Sequence, residues 1–568
     1  MTDQKNFLLA IVISTAIIMG YQFFYEKPRL EALRLQTERQ EALKKEALPI
    51  AAKPVLSKKM TREQAITESP RIAIKTPALT GTVSLKGARF DDIHLENYRT
   101  EVDPKSSAVA LLSPSNTEHG YFAELGWLSP NAQTIAPTSD TVWQTSNTSL
   151  TPQTPLTLSW DNGAGVRFEI TYAIDDQYMI TATTRAINTT KQAIDLHPFG
   201  LIQRLGSPVK ENTGIHAGSI GTFDKVLEET DYKKLEEKGI LENTATQGWV
   251  GISDKYWLTA LIPQEGVNTQ FRQQALPREE GIVYQTDFIA QKKTVQPNET
   301  ITFTTRFYAG AKQVELLDSY SEKLGIPLFD RAVNFGLLYI ITKPLFYALH
   351  YLYAFTGNFG WAIVILTVLV RLVLLGPLAH KSYKSMNALK ELQPHMEKLK
   401  EKHGDDKMKL HQEIAAMYKR EKVNPVAGCL PILIQIPVFI ALYRVLMISL
   451  EMRHAPFFGW VRDLSAPDTA NIFTAFGYLN IPMLPSFLHV GVWPLLMGIT
   501  MFLSQRMNPK PTDKTQEIMF NLMPIIFTFV TATLPAGLAV YWTFSNIASI
   551  AQQALTKKSV AKQKAAKA

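Results

Sequence analysis

Residues 357–378 read GNFGWAIVILTVLVRLVLLGPL. An apolar run of this length predicts a helix that crosses a bilayer, which needs about 17–25 residues. Arg371 stands inside it. At ~1.5 Å of rise per residue, that arginine lies roughly 10 Å from the end of the span near Leu378. An arginine at mid-helix costs about 2.5–3.5 kcal/mol, and less where its side chain reaches the headgroups. Two readings follow: a snorkelling arginine, or one that faces a water-filled cavity.

The neighbouring sequence favours the cavity. Four more stretches have spanning length, at 428–450, 488–506, 518–534 and 536–555. They carry Gln435 at mid-span, Gln505 near a span end, and a polar series on the last: Tyr541, Trp542, Thr543, Ser545, Asn546, Ser549, Gln552 and Gln553. Polar groups in hydrocarbon need partners, so several such helices predict a wet interior or interhelical hydrogen bonds. Hydrogen bonding alone accounts for the serines and threonines, but poorly for an arginine, since none of the five spans contains Asp or Glu.

Working outward, residues 7–25 form an apolar anchor that lacks small residues at a cleavage site. With it the chain has six spans. Residues 26–65, rich in charge and then proline, read as a tether. Residues 332–355 are long enough to cross, yet Lys343 and His350 share a face, which predicts a helix lying in the interface. Eleven Lys or Arg fall between Lys381 and Lys422, which places that loop in the cytoplasm. Six spans then put both termini in the cytoplasm and the region 66–330 outside. The loop 380–424 reads as a helical hairpin turning at His403-Gly404-Asp405-Asp406. The segment 469–490, broken by Pro482 and Pro485, reads as an interfacial or re-entrant connection.

Between about residues 70 and 318 the apolar period falls to two, as in Leu156–Trp160, Val166–Ile170 and Ile301–Thr305. Turn clusters such as Asp161-Asn162-Gly163 separate the runs, which predicts a large antiparallel β-sandwich. A mean hydropathy of −0.04 averages this polar region with the apolar one and conceals both. The one cysteine, Cys429, excludes a disulfide framework. Five lysines without an acid between Lys557 and Lys567 form a basic tail suited to anionic lipid or RNA. Neither a GxxxxGK phosphate loop nor an HExxH zinc motif occurs, so no cofactor, metal or catalytic residue is expected.

The run NPVAGCLPILIQIPVFIALY (424–443), then EMRHAPFFGWVRDLSAPD (451–468), WPLLMGITMF (493–502), NLMPIIFTF (521–529) and PAGLAVYWTFSN (535–546) resemble the YidC/Oxa insertase family. Residues 330–555 carry the likeness, and the anchor with a large β-domain resembles its Gram-negative branch. The resemblance implies a multi-pass inner-membrane protein. It would have an anchor (1–25), a tether (26–65), a periplasmic β-supersandwich (66–330) and an interfacial helix (331–356). A five-span insertase core (357–555) and a basic tail (556–568) would complete it. It implies a non-enzymatic insertase and chaperone for nascent membrane proteins, acting in the lipid bilayer alone or with the Sec translocon. The ribosome would meet the hairpin and the tail, and DNA would be no partner. Arg371 matches the family's groove arginine, Thr367 lies one turn before it, and Trp542 matches its groove aromatic. Gln435 and Gln505 fall in matching motifs. Two other classes fit less well. A secondary transporter with a buried arginine site lacks its usual repeats and acidic relays. A membrane-anchored carbohydrate-binding protein would need convergent carboxylates, with Asp91, Asp92 and Glu96 as candidates.

Overall fold

Val166, Phe168, Ile170, Tyr172 and Ile174 are buried, while the alternate positions lie at or nearer the surface. Such a strand has one face for a core and one for water. Nineteen strands assemble on this principle in a computed structural model that describes residues 60–130, 134–208, 215–336, 338–374, 376–403, 406–421, 423, 430–471, 489–508 and 514–565. The expected anchor 7–25, most of the tether, Gly404, Asp405, Cys429, most of the connection 469–490 and the last three residues lie outside these. The described residues divide into two compact units, 60–334 and 335–565.

The first unit has an eleven-stranded and an eight-stranded sheet. Aromatic side chains join their inner faces: Phe90 meets Phe307 at 5.6 Å, and Phe223 meets Phe271 at 5.2 Å between ring centroids. Strand pairing is antiparallel apart from Arg71–Lys75, which runs parallel to Ser149–Leu150; with the isolated parallel bridge between Met60 and Thr117, it departs from the antiparallel expectation. At the turn 161–163, Asp161 Oδ1 accepts from Gly163 N at 2.8 Å, and Asn162 Oδ1 accepts from Val166 N at 3.0 Å. Gly163 supplies the left-handed residue, at φ 68°. Several strands show no alternation. Gly218–Phe223 and Gly248–Ser253 are buried at every position, because elements cover both of their faces. Three short helices, α1 (Arg62–Thr67), α2 (Tyr232–Lys238) and α3 (Val314–Lys323), complete the unit.

The second unit is helical: α4 (Tyr339–Thr356), α5 (Phe359–Leu369), a π-turn (Val370–Leu374), α6 (Gly376–His403), α7 (Lys407–Arg420), α8 (Leu430–Ile448), α9 (Val492–Arg506), α10 (Lys514–Ala532) and α11 (Ala536–Ala565). Gly357, at φ 66°, ends α4, and Asn358 begins α5 by accepting from Trp361 N at 3.2 Å. The last helix runs through the expected basic tail to Ala565, since Ala, Lys and Gln are good helix formers. Among the described residues no helix is long and apolar enough to cross a membrane. The expected span 357–378 is divided by the π-turn, and α9 has 15 residues. On α10, Ile518, Leu522, Ile525, Ile526 and Phe529 are nonetheless exposed at i, i+4, i+7, i+8 and i+11, a continuous apolar stripe.

A cavity around Arg371

The arginine stands on the π-turn. This turn interrupts the regular backbone ladder, and the Arg371 carbonyl accepts from Gln552 Nε2 on α11 at 2.8 Å. Arg371 is 8% exposed. Its Nε and Nη2 donate to Ser545 Oγ at 2.9 and 2.7 Å, and among the described residues no carboxylate pairs with it.

Arg371 lines a cavity of about 330 Å³, bounded also by α6, α8, α9, α10 and α11. Its lining is mixed in chemistry. Asn546, Ser549 and Gln553 of α11, with Ser504 and Gln505 of α9, contribute polar groups to the lining. Ile436 and Phe439 of α8, Met501 of α9 and Phe520, Met523 and Phe527 of α10 contribute apolar surface. Trp542 adds to the apolar surface, with its ring 4.7 Å from Phe439 and 5.0 Å from Phe527. Asn546 Nδ2 donates to Thr500 Oγ1 at 3.2 Å, which ties α11 to α9.

Four of the five residues predicted from the sequence therefore meet: Arg371, Gln435, Gln505 and Trp542. Thr367 does not join them. It is buried, and its hydroxyl donates to the Ile363 carbonyl at 2.6 Å, one turn back on its own helix. Gln435 lines the cavity and its amide Nε2 donates to the Tyr541 hydroxyl, with its Oε1 buried and unpartnered. Sequence reasoning did not single out Ser545 as the arginine's acceptor, although it lay in the polar series already noted. Phe439, Met501 and Met523 left no signal, because an apolar residue facing a cavity has the composition of one facing lipid.

The carboxylates of the carbohydrate-binding alternative are engaged elsewhere. Asp91 pairs with Arg71, Asp92 with Arg62 at 2.5 Å, and Glu96 accepts from Thr80 at 2.5 Å.

Residues 71–348 match the family model of the YidC periplasmic domain, and residues 351–564 match that of the 60Kd inner membrane protein. The membrane protein insertase YidC of Rickettsia bellii is 44% identical over 550 residues, covering 96% of this chain and 98% of that one. The chain belongs to the YidC family of membrane protein insertases. Its counterpart in Beijerinckia indica, also a membrane protein insertase YidC, is 42% identical over 98% of this chain and 96% of its own. A crystal structure of an active YidC insertase with the first transmembrane domain resolved covers 87% of this chain and 95% of its own, at 18% identity and a TM-score of 0.35. This YidC-family chain is thus an inner-membrane protein insertase with a periplasmic β-domain. The transporter and carbohydrate-binding readings give way to it.

Proposed function

We propose that the cavity around Arg371 is where the insertase receives the polar tail of a nascent membrane protein. One observation carries the reading: a buried cation whose only side-chain partner among the described residues is a neutral hydroxyl. Burying a charge is costly unless it is paired, so an incoming carboxylate gains a charge-assisted hydrogen bond and relieves that cost. The polar groups of the lining shorten the apolar path of the tail. Outward movement of a negative charge gains ~2.3 kcal/mol per 100 mV of inside-negative potential. The apolar segment then leaves sideways, driven by its transfer into lipid. No covalent step and no fuel are needed, so the protein acts as an insertase rather than an enzyme.

In this reading the chain crosses the inner membrane six times, with the anchor 7–25 and five crossings in the core 357–555. Both termini and the hairpin 380–424 lie in the cytoplasm, and residues 66–330 form the periplasmic domain. The exposed stripe on α10 faces lipid, and α4 lies in the interface. The hairpin, which exposes Lys390, Lys398, Lys400 and Lys402, and the basic end of α11 meet the ribosome. The Sec translocon is a second partner. Thr367 serves the packing behind Arg371, while Gln435, Gln505 and Trp542 face the passing tail.

The test is depletion of the protein followed by protease mapping of a small single-span substrate with an acidic tail. Wild-type chain should restore insertion, and Arg371→Ala should restore it poorly. Full rescue by Arg371→Ala would sink the role of the arginine. In a Cys429→Ser background, a cysteine placed by Arg371→Cys should react with a water-soluble thiol reagent. Absence of that reaction argues against a wet cavity.

A further inference from the structure

The guanidinium of Arg371 is held against α11. Nearby, Gln435 of α8 donates to the hydroxyl of Tyr541, one turn before Ser545 on α11. Ser545 Oγ accepts both Nε and Nη2 of Arg371. A serine hydroxyl has two acceptor sites and one proton. Both acceptor sites are taken by the arginine. Gln552 meanwhile fixes the other end of the residue through its carbonyl. Among the described residues, Arg371 Nη1 makes no hydrogen bond.

The Nε–Nη2 edge is one that grips carboxylates in a bidentate fork, and here a hydroxyl occupies it. An incoming carboxylate is left the Nη1 end of the group. We infer that Ser545 and Gln552 are positioning residues: they hold Arg371 against the cavity wall with Nη1 presented to the acidic tail of the substrate. This rests on the reading of the cavity as the place where that tail is received. Without Ser545, Nε and Nη2 lose their shared acceptor, and the long side chain regains its rotamer freedom. Without Gln552, the Arg371 carbonyl in the π-turn loses its donor.

The experiment uses full-length chain in the depletion assay with two single-span substrates that differ only in tail, one acidic and one with its acids replaced by Asn. Ser545→Ala, Ser545→Thr and Gln552→Leu are each made alone and with Arg371→Ala. Loss of the two bonds from the guanidinium in Ser545→Ala, and of the neutral amide–carbonyl bond in Gln552→Leu, each predicts at least about five-fold weaker insertion of the acidic substrate. The neutral substrate should be nearly unaffected, Ser545→Thr should restore function, and neither substitution should add to Arg371→Ala. Parental activity in Ser545→Ala, equal loss on both tails, or losses that add to Arg371→Ala would each overturn the proposal. Thermal melting of the purified variants separates misfolding from lost positioning: a variant that melts far below the parent and fails on both tails counts against it. If Arg371→Ala itself inserts the acidic substrate normally, the arginine's role falls, and its positioning with it. If only Arg371→Ala is impaired, the positioning alone is wrong.

Discussion

Gly498 of α9 and Thr528 of α10 meet where no methyl group fits, since a Cβ built on Gly498 would lie 2.0 Å from Thr528 Oγ1. The threonine is not free to turn away, because its hydroxyl donates to the Pro524 carbonyl at 2.7 Å. The two helices that carry Met501 and Phe527 into the cavity are therefore set at their distance by a glycine.

Gly498→Ala should push α9 from α10 or break the Thr528 bond. Overpacking of this kind costs about 1–3 kcal/mol. A lower melting temperature of the purified chain in detergent is expected, and Thr528→Ala in the same chain should recover part of the loss. Unchanged melting of Gly498→Ala would show that the helix pair adjusts freely.

Trp542 is half-buried between two aromatic rings of the lining. Its replacement by alanine should cost less than the ~3–5 kcal/mol of a fully enclosed ring, because one side of it faces the cavity. Trp542→Phe should keep most insertion activity and Trp542→Ala should not. Equal activity in the two variants would remove the aromatic wall from the account.

Lys312, in the β-unit, is 4% exposed and donates to Ser253 Oγ at 3.1 Å. Burial pushes its pKa down to about 8, against the opposing pull of Asp254 and Glu229. The folded state thus releases a proton that the unfolded chain still holds, between pH about 8 and ~10.4. Stability from this group rises with pH across that window, and below it the cost of the buried charge is felt in full. Lys312→Met should raise the melting temperature at pH 7 by a few degrees, about 1–2 kcal/mol once the loss to Asp254 and Glu229 is counted. It should also flatten the rise between pH 8 and 10. A fall at pH 7 would mean that the ion partners outweigh burial.

Asp92 behaves in the opposite sense. Burial alone would raise its pKa, but hydrogen bonds from His94, Thr82 and Arg62 hold it well below the usual carboxylate range. Its contribution is complete above the unfolded value of ~3.9 and is lost as pH falls below that towards the folded value. Arg62 belongs to α1, so the bond secures the first described helix to the sheet. Melting temperatures between pH 5 and 2.5 should fall more steeply for wild-type chain than for Asp92→Asn, which starts lower. Parallel curves would assign acid sensitivity to other groups.

The residues that stood out in sequence did so because each broke a local rule. An arginine or glutamine in an apolar run is visible without knowing its neighbours in space. The turn 161–163 and the alternating strands are legible for the same reason, since side-chain bonds two to four residues apart and a period of two are properties of short segments. Strands such as Gly248–Ser253 escaped because a strand covered on both faces has no period to read.

Residue order alone shows Arg371 in an apolar run with no acid nearby in the chain, and polar side chains clustered on the last helix. Helix packing is what brings Ser545, 174 residues away, to one edge of its guanidinium, sets Gln552 against its carbonyl and keeps Thr367 outside the cavity. It also decided which apolar residues form a wall and which face outward. The physical reason is common to all of these: burial and hydrogen-bond partners between distant segments depend on how helices pack, and a helix of apolar residues has the same composition on either face.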